Sequence, residues 1–275
     1  MPFGLLFLVS VAAGWLGSLT GMGGGILLIP VLTFFGIDIK QAIAISNISI
    51  IAVSISAAVD YLRRHMPNLN ASAFLEVFAV LGAGIGALIT VALRREPLFF
   101  LCGGILLFSW IALWRQGVGG WKPVVQQDRF SRWLGLEGSY YDYAEGRTIV
   151  YQGTHASLAG LLMFGAGMIS GLLGMGASAL TVLINEGVMG LPTKVSLTTS
   201  NLIIGVMALV GTNVYLETGL INSVLVAPVI LGVPLGAFLG SKLLTHMRNQ
   251  VARVILLGVL IVFGIEMIVQ GFRGM

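Results

Sequence analysis

Hydrophobic and polar positions follow one another along this chain in long blocks. Apolar runs lie at about Phe3 to Thr20, Ile26 to Phe35, Gln41 to Leu62, Ala73 to Leu93 and Leu98 to Trp114, cut by charges or by clusters of glycine and proline. A second set lies at about His155 to Leu173, Ala179 to Gly190, Val195 to Leu216, Ile221 to Leu244 and Val251 to Phe272. Most runs approach the roughly 20 apolar residues that carry a helix across a bilayer, and none shows the long alternation of a barrel strand. The pattern predicts an all-α polytopic membrane protein. Ile26 to Phe35 is the exception, since it makes only about 15 Å of helix and cannot cross the hydrocarbon alone.

Composition agrees. The chain is 57% hydrophobic and 9% charged with a mean hydropathy of +0.97, against roughly 25% charged residues in soluble domains. A net charge of +4 and a pI of about 9.5 would suggest nucleic acid in a soluble protein. Here the basic residues sit in short loops and read as topology signals, so nucleic acid is excluded as a partner and the lipid bilayer takes its place. The single cysteine, Cys102, lies in an apolar run, which excludes an internal disulfide and a cysteine metal site. The first run has no basic leader and has a counterpart deep in the chain, so it is expected to be retained rather than cleaved.

Between the two sets, Arg115 to Gln152 carries most of the tryptophan and tyrosine together with many charges. Within it "SYYDYAEGRTIVYQG" places two β-prone runs around a turn-like Ala-Glu-Gly-Arg, which predicts a small extramembrane hairpin. The chain therefore divides into a first membrane repeat (1–116), an extramembrane loop (117–152) and a second membrane repeat (153–275).

The second set of runs repeats the first. "SLTGMGGG" (Ser18 to Gly25) matches "GLLGMGAS" (Gly171 to Ser178), and "GIDIKQAIAISNIS" (Gly36 to Ser49) matches "GLPTKVSLTTSNLI" (Gly190 to Ile203). Lys40, Ser46 and Asn47 thus fall on Lys194, Ser200 and Asn201. "LGAGIGA" (Leu81 to Ala87) falls on "LGVPLGA" (Leu231 to Ala237). If the short segment and the run before it enter and return on one side, the halves are inverted. If together they make one interrupted crossing, the halves are parallel. The inverted reading gathers Arg63, Arg64, Arg115, the central loop, Lys194, Lys242 and Arg248 on one side, leaving Lys40, Arg94, Arg95 and Arg273 opposite. That asymmetry favours inversion, with the central loop cytoplasmic.

Short, glycine-interrupted segments at corresponding places in two halves mark the binding site of a secondary transporter. A broken helix exposes N–H and C=O groups that cost several kcal/mol each in lipid, so the break must face a cavity. A half helix starting after Gly25 or Ser178 would point N–H groups and the positive end of its dipole at an anion. The candidate substrate contacts are Gly21, Met22, Gly23, Gly24 and Gly25, with Gly174, Met175, Gly176 and Ser178 opposite them. Spacing of the GxxxG kind at Gly17, Gly21 and Gly25 allows close helix packing instead. Packing is the better reading for Gly82, Gly86, Gly232, Gly236 and Gly240. Ser46, Asn47, Thr199, Ser200 and Asn201 lie inside apolar segments, where they serve either as hydrogen-bonding ligands of an oxyanion or as interhelical contacts worth about 0.6 kcal/mol each. Lys40 and Lys194 stand at the mouths of matching segments, as anion-attracting cations or as snorkelling lysines. Glu266 is an intramembrane carboxylate and a candidate proton carrier. Glu186 and Asp60 sit near segment ends and are expected to face water. No nucleophile motif, metal-ligand spacing or cofactor-binding motif occurs, which argues against an enzyme.

The paired "GMGGG" and "GMGAS", the stretch "LPTKVSLTTSNLIIGVMALV" and "GSYYDYAEGRTIVY" in the central loop resemble the sulfite exporter TauE/SafE family over nearly the whole chain. That resemblance implies a bacterial inner-membrane permease exporting small anions such as sulfite or organosulfonates. The chain departs from its own first motif at Gly176-Ala177-Ser178, which would make the halves line a pathway unequally. The expectation is a secondary transporter of ten helical segments in two five-segment repeats, with proton coupling as an option. A passive anion channel and a non-transporting membrane scaffold are the alternatives, and the sequence leaves monomer and homodimer open.

Overall fold

The computed structural model describes residues 3–21, 23–115, 126–174 and 178–273. In chain order the helices are α1 (Phe3–Thr20), α2 (Gly25–Phe34), α3 (Ile39–Arg63), α4 (Leu69–Ala92), α5 (Arg95–Arg115) and α6 (Arg129–Trp133). A hairpin of β1 (Glu137–Asp142) and β2 (Arg147–Gln152) follows. Then come α7 (Ala156–Leu173), α8 (Ser178–Leu183) running into a π-helical turn (Ile184–Val188), α9 (Thr193–Glu217), α10 (Ser223–His246) and α11 (Asn249–Arg273). Among the described residues, eight helices are long and apolar enough to cross a membrane, while Gly25–Phe34 and Ala179–Val188 are apolar but short. The all-α polytopic architecture is the one the hydrophobic blocks predict.

Helix starts are set by side chains that accept the first free N–H groups. Asp38 accepts from the Lys40 N–H at 2.8 Å, Asn68 from Ala71 at 2.9 Å and Asn222 from Val224 at 3.0 Å. The half helix α2 has no such cap. Gly24 stands at its start, and the N–H groups of Leu27 and Leu28 turn back to the Gly24 carbonyl at 3.3 and 3.1 Å.

The most buried spans are α9 and α3, with 78% and 61% of their most apolar windows inside the molecule, so they form its centre. They pack antiparallel. Gly211 lies against the Asn47 amide and Gly205 against the Ser54 hydroxyl. Around this pair, α1 lies alongside α10 and α4 alongside α7, each at backbone-to-backbone distance. A methyl group added at Gly86 would stand 1.9 Å from the Met168 carbonyl oxygen, and one at Gly236 would stand 1.9 Å from that of Val11. Gly82, Gly232 and Gly240 sit in the same two seams, so the packing reading of these glycines is the one the structure realises.

The hairpin marks one end of the bundle. Arg64 at the end of α3 stacks over the Tyr143 ring at 5.2 Å, and that ring meets His246 at the end of α10 at 5.6 Å. Asn68 before α4 donates to the Tyr151 hydroxyl at 3.4 Å. Lys40, at the opposite end of α3, donates to the Val91 carbonyl at 2.9 Å. Parallel to α10, α1 runs toward the hairpin face, and α2 returns to the far face, where Gln270 near the end of α11 donates to the Pro30 carbonyl at 3.0 Å. Parallel to α4, α7 leaves the hairpin face, and the chain is back there by Thr193, one residue before the lysine bonded to the hairpin. Antiparallel pairing of Glu137 with Gln152 through Asp142 with Arg147 matches the predicted hairpin. The short α6 ahead of it was not foreseen.

Candidate functional site

The two glycine breaks meet each other's half of the molecule. Gly21, at φ +65°, lies on the backbone of Leu197 in α9, while Gly174, at φ +59°, lies on the backbone of Ile43 in α3. Both φ values belong to the left-handed region, where a Cβ is disfavoured, and both contacts leave no room for one. Between them Gly25 faces the Gly174 carbonyl oxygen and the Ser46 Cβ, and Gly24 faces the Ser49 hydroxyl. Gly23, at φ +66°, packs on Ile50. Ser46 donates to the carbonyls of Ile43, at 2.8 Å, and of Gly174. One interior cluster therefore joins the start of α2, the end of α7 and the α3 serines. Met22, Met175 and Gly176 lie outside the described residues, and Ser178 opens α8.

The Ser-Asn motifs are closed off from solvent, with Ser46, Ser200 and Asn201 at 0% exposure and Asn47 at 2%. Ser200 accepts from the Asn185 amide at 3.1 Å, and Thr199 accepts from the Asn68 N–H at 3.0 Å. Several buried amide atoms have no hydrogen-bond partner among the described residues: the Asn47 Nδ2, the Asn185 Oδ1, and both the Nδ2 and Oδ1 of Asn201. A buried amide without a partner carries a desolvation cost of about 1–3 kcal/mol per atom. Such atoms call for a partner from outside the protein, a water, an ion or a substrate. Asn185 was not singled out from sequence. An asparagine inside an apolar half helix was the available signal.

The paired lysines are engaged elsewhere. Lys40 holds the carbonyl at the end of α4, where a cation also suits the helix dipole. Lys194 is fully buried with its Nζ 2.8 Å from the Asp142 Oδ1 of the hairpin. Asp142 also accepts from the N–H of Ala144 at 2.9 Å, so the pair anchors the hairpin turn to α9. Lys194 is thus bonded to the hairpin and does not stand solvated at the mouth of its segment. Glu186 is corrected too. It does not face water but pairs with Arg253 at 2.9 Å, both side chains under a tenth exposed. Glu266 accepts from Gln270 at 3.2 Å, and Gln270 also bonds Thr33 and Pro30 of α2. Its carboxylate is thus one step removed from the half helix. Away from the breaks, a cavity of about 430 Å³ lies between α3, α4 and α9, lined by Ser54, Ser72, Glu76 and Gly205 among apolar side chains.

A discontinuous helix pair at each of two matched glycine motifs, packed around two central spans, extends along almost the entire chain. The model of one family, Sulfite exporter TauE/SafE, matches residues 6–267. The chain belongs to the TauE/SafE family. It is accordingly a multi-pass membrane protein of a transporter family. Probable membrane transporter protein YunE of Bacillus subtilis is 25% identical over 280 residues, covering 98% of this chain and 99% of that protein. Probable membrane transporter protein YfcA of Escherichia coli is 30% identical over 108 residues, 37% of this chain and 40% of that one. Probable membrane transporter protein YdhB of Bacillus subtilis is 25% identical over 251 residues, covering 90% and 91%. No solved structure matches this TauE/SafE chain.

Proposed function

We propose that this protein is a secondary transporter of small sulfur-containing oxyanions, sulfite or organosulfonates, exporting them across the bacterial inner membrane. The observation that carries the reading is the meeting of the two helix breaks at Ser46, on central helices that also bury amides without partners among the described residues. At the start of α2 the N–H groups of Gly25 and Ile26 precede the first intrahelical bond and carry the positive end of the helix dipole. We assign the Asn47 and Asn201 amide N–H groups to the same neutral donor set, because each stands one helical turn after the residue that a break touches, Ile43 and Leu197. Such donors bind an oxyanion without the desolvation cost of a full cation.

We infer also that the halves are inverted copies. What supports this is the antiparallel packing of α3 on α9 and of α5 on α11, where Gly103 meets Ile268 and Gly271 meets Phe99. The cluster is closed in this conformation, so transport requires the halves to rock about the α3 and α9 pair. A passive channel would need a continuous path past the same residues, and the closed packing at Gly23 to Gly25 disfavours it.

The test is flux in proteoliposomes holding the full chain. The expected result is saturable movement of sulfite and of methanesulfonate, with Asn47→Ala and Asn201→Ala each lowering it about tenfold, the scale of one lost charge-assisted hydrogen bond. Absence of flux for either anion, or variants indistinguishable from the parent, refutes the assignment. A flux that never saturates favours the channel.

A further inference from the structure

The ion pair of Glu186 and Arg253 is a buried pair of charges within the bundle that the anion pathway described above does not use. It sits where α8 loosens into the π-helical turn, a distortion common at functional positions. Arg253 Nη1 donates to Glu186 at 2.9 Å and Nη2 donates to the Leu113 carbonyl of α5 at 2.9 Å. The Thr193 hydroxyl also lies against the Glu186 carboxylate, while the remaining Arg253 Nε is buried without a hydrogen-bond partner among the described residues. A pair kept for stability alone would satisfy both groups, because a half-satisfied buried charge pair is worse than an apolar contact. Next to Glu186, Asn185 holds Ser200 through its Nδ2 and leaves its Oδ1 unpartnered. The pair is thus joined to the proposed anion cluster through one residue. The half helix of the first repeat, "GILLIPVLTF", has no ionisable side chain, so the feature belongs to the second half alone.

We propose that Glu186 and Arg253 form the coupling site of this transporter, where protonation of Glu186 releases the Arg253 guanidinium to a monovalent oxyanion, a sulfonate or hydrogen sulfite. The inference rests on the anion-transport reading and adds its coupling ion; because proton and anion travel together, export is driven by the outward concentration gradient of the anion itself and carries one proton out with each anion. In the empty state the carboxylate and guanidinium cancel. In the loaded state one proton has gone to the Glu186 carboxylate, making it a neutral acid, and one monoanion has taken the guanidinium, so the site is neutral again. Any other ratio leaves a net charge in a low-dielectric interior. The planar fork of arginine fits the oxygens of a sulfonate as it fits a carboxylate.

The charged and titratable groups around the pair leave this assignment to Glu186. From α9 comes Lys194, already held by Asp142, with Tyr215 and Glu217 near the other end of that helix. From α5 come Arg95 and Glu96, at its opposite start, Cys102, inside the span, and Arg115, at the exposed end. Helices α1, α2, α7 and α8 bring no ionisable side chain, and α11 itself brings Glu266 and Arg273 near its far end.

The experiment uses the full chain in proteoliposomes with methanesulfonate, an anion that stays monovalent across the working pH range. For the parent, a pH gradient should drive accumulation on the side to which protons flow, and potassium with valinomycin should not alter it. Glu186→Gln mimics the protonated acid. It should still exchange methanesulfonate but lose at least about tenfold of the gradient-driven accumulation. Arg253→Gln should lose exchange and accumulation together. Parent-like accumulation by Glu186→Gln, or parent-like exchange by Arg253→Gln, overturns the coupling site while leaving anion transport standing. A parent that moves no anion overturns both. Should a variant not fold, the parent itself decides the matter. Methanesulfonate added to the purified protein in weakly buffered detergent should draw about one proton from solution per anion bound, and binding without proton uptake overturns the proposal.

Discussion

Tyr61 and Tyr215 show how the breaks are held at the level of single groups. Each is fully buried, and each donates its hydroxyl to a carbonyl in the last turns before a glycine break: Tyr61 to Ser18 at 2.7 Å, Tyr215 to Gly171 at 2.6 Å. Those carbonyls belong to the helix end that lacks intrahelical partners. Tyr61→Phe and Tyr215→Phe should each destabilise the protein by about 1–3 kcal/mol, the cost of a buried acceptor left unmet. A drop in melting temperature in detergent, present for both variants and absent for the exposed Tyr141→Phe, checks this. Neither tyrosine stood out in the sequence, because a tyrosine near the end of an apolar run reads as an interfacial anchor. Lys194 and Glu186 were misplaced for a related reason. Their partners, Asp142 and Arg253, are 52 and 67 residues away, and no local pattern encodes such a pairing.

Helix seams make the clearest predictions at the scale of elements. Gly82 and Gly86 of α4 lie on the backbone of α7, and Gly232 and Gly236 of α10 lie on that of α1. Gly104 and Gly258 have open space where a Cβ would go. Gly86→Ala and Gly236→Ala should therefore push their helices apart and lose several kcal/mol, in the range of overpacking at a tight interface. Gly104→Ala and Gly258→Ala should be neutral or gain up to about 1 kcal/mol from helix propensity. Thermal unfolding of the four variants separates the two classes, and equal losses in all four would refute the seam.

The hairpin end carries a pH-sensitive clasp of its own. Burial raises the Asp128 carboxyl, but bonds from the Ser131 hydroxyl and N–H, the His155 N–H and the Thr154 hydroxyl outweigh that and hold it well below the usual carboxylate range. A lowered folded-state value adds stability above the unfolded pKa of about 3.9, and that stability is lost as pH falls through the folded value. The parent should therefore lose this clasp only in strong acid. Asp128→Asn should be less stable than the parent near pH 7, with the gap closing below about pH 4. The long helices and the hairpin were legible because block hydrophobicity and β-propensity are local signals. The π-helical turn was not, since hydropathy at Ala179 to Gly190 reads the same for an α-helix as for a loosened one.

For the molecule as a whole, the inverted arrangement proposed above determines which ends share a side of the membrane. The chain starts α1 and ends α2 away from the hairpin, whereas the α7 pair starts and ends beside it, so the end of α9 and the start of α10 lie across the bundle from β1 and β2. The sequence carried this only as a bias in basic residues, which constrains which loops face inward but says nothing of the contacts that put them there. Cys102 is buried and should stay silent toward water-borne reagents, which leaves introduced cysteines as clean reporters. Thr148→Cys on the exposed hairpin and Ser223→Cys at the exposed start of α10 should react with a membrane-impermeant maleimide from opposite sides. With the basic face inward, Ser223→Cys should be labelled in intact spheroplasts and Thr148→Cys only after lysis. Labelling of both from one side would dismantle the inverted arrangement. It would take with it the idea that two half helices approach one anion from opposite faces, because that convergence exists only if the halves run through the membrane in opposite senses.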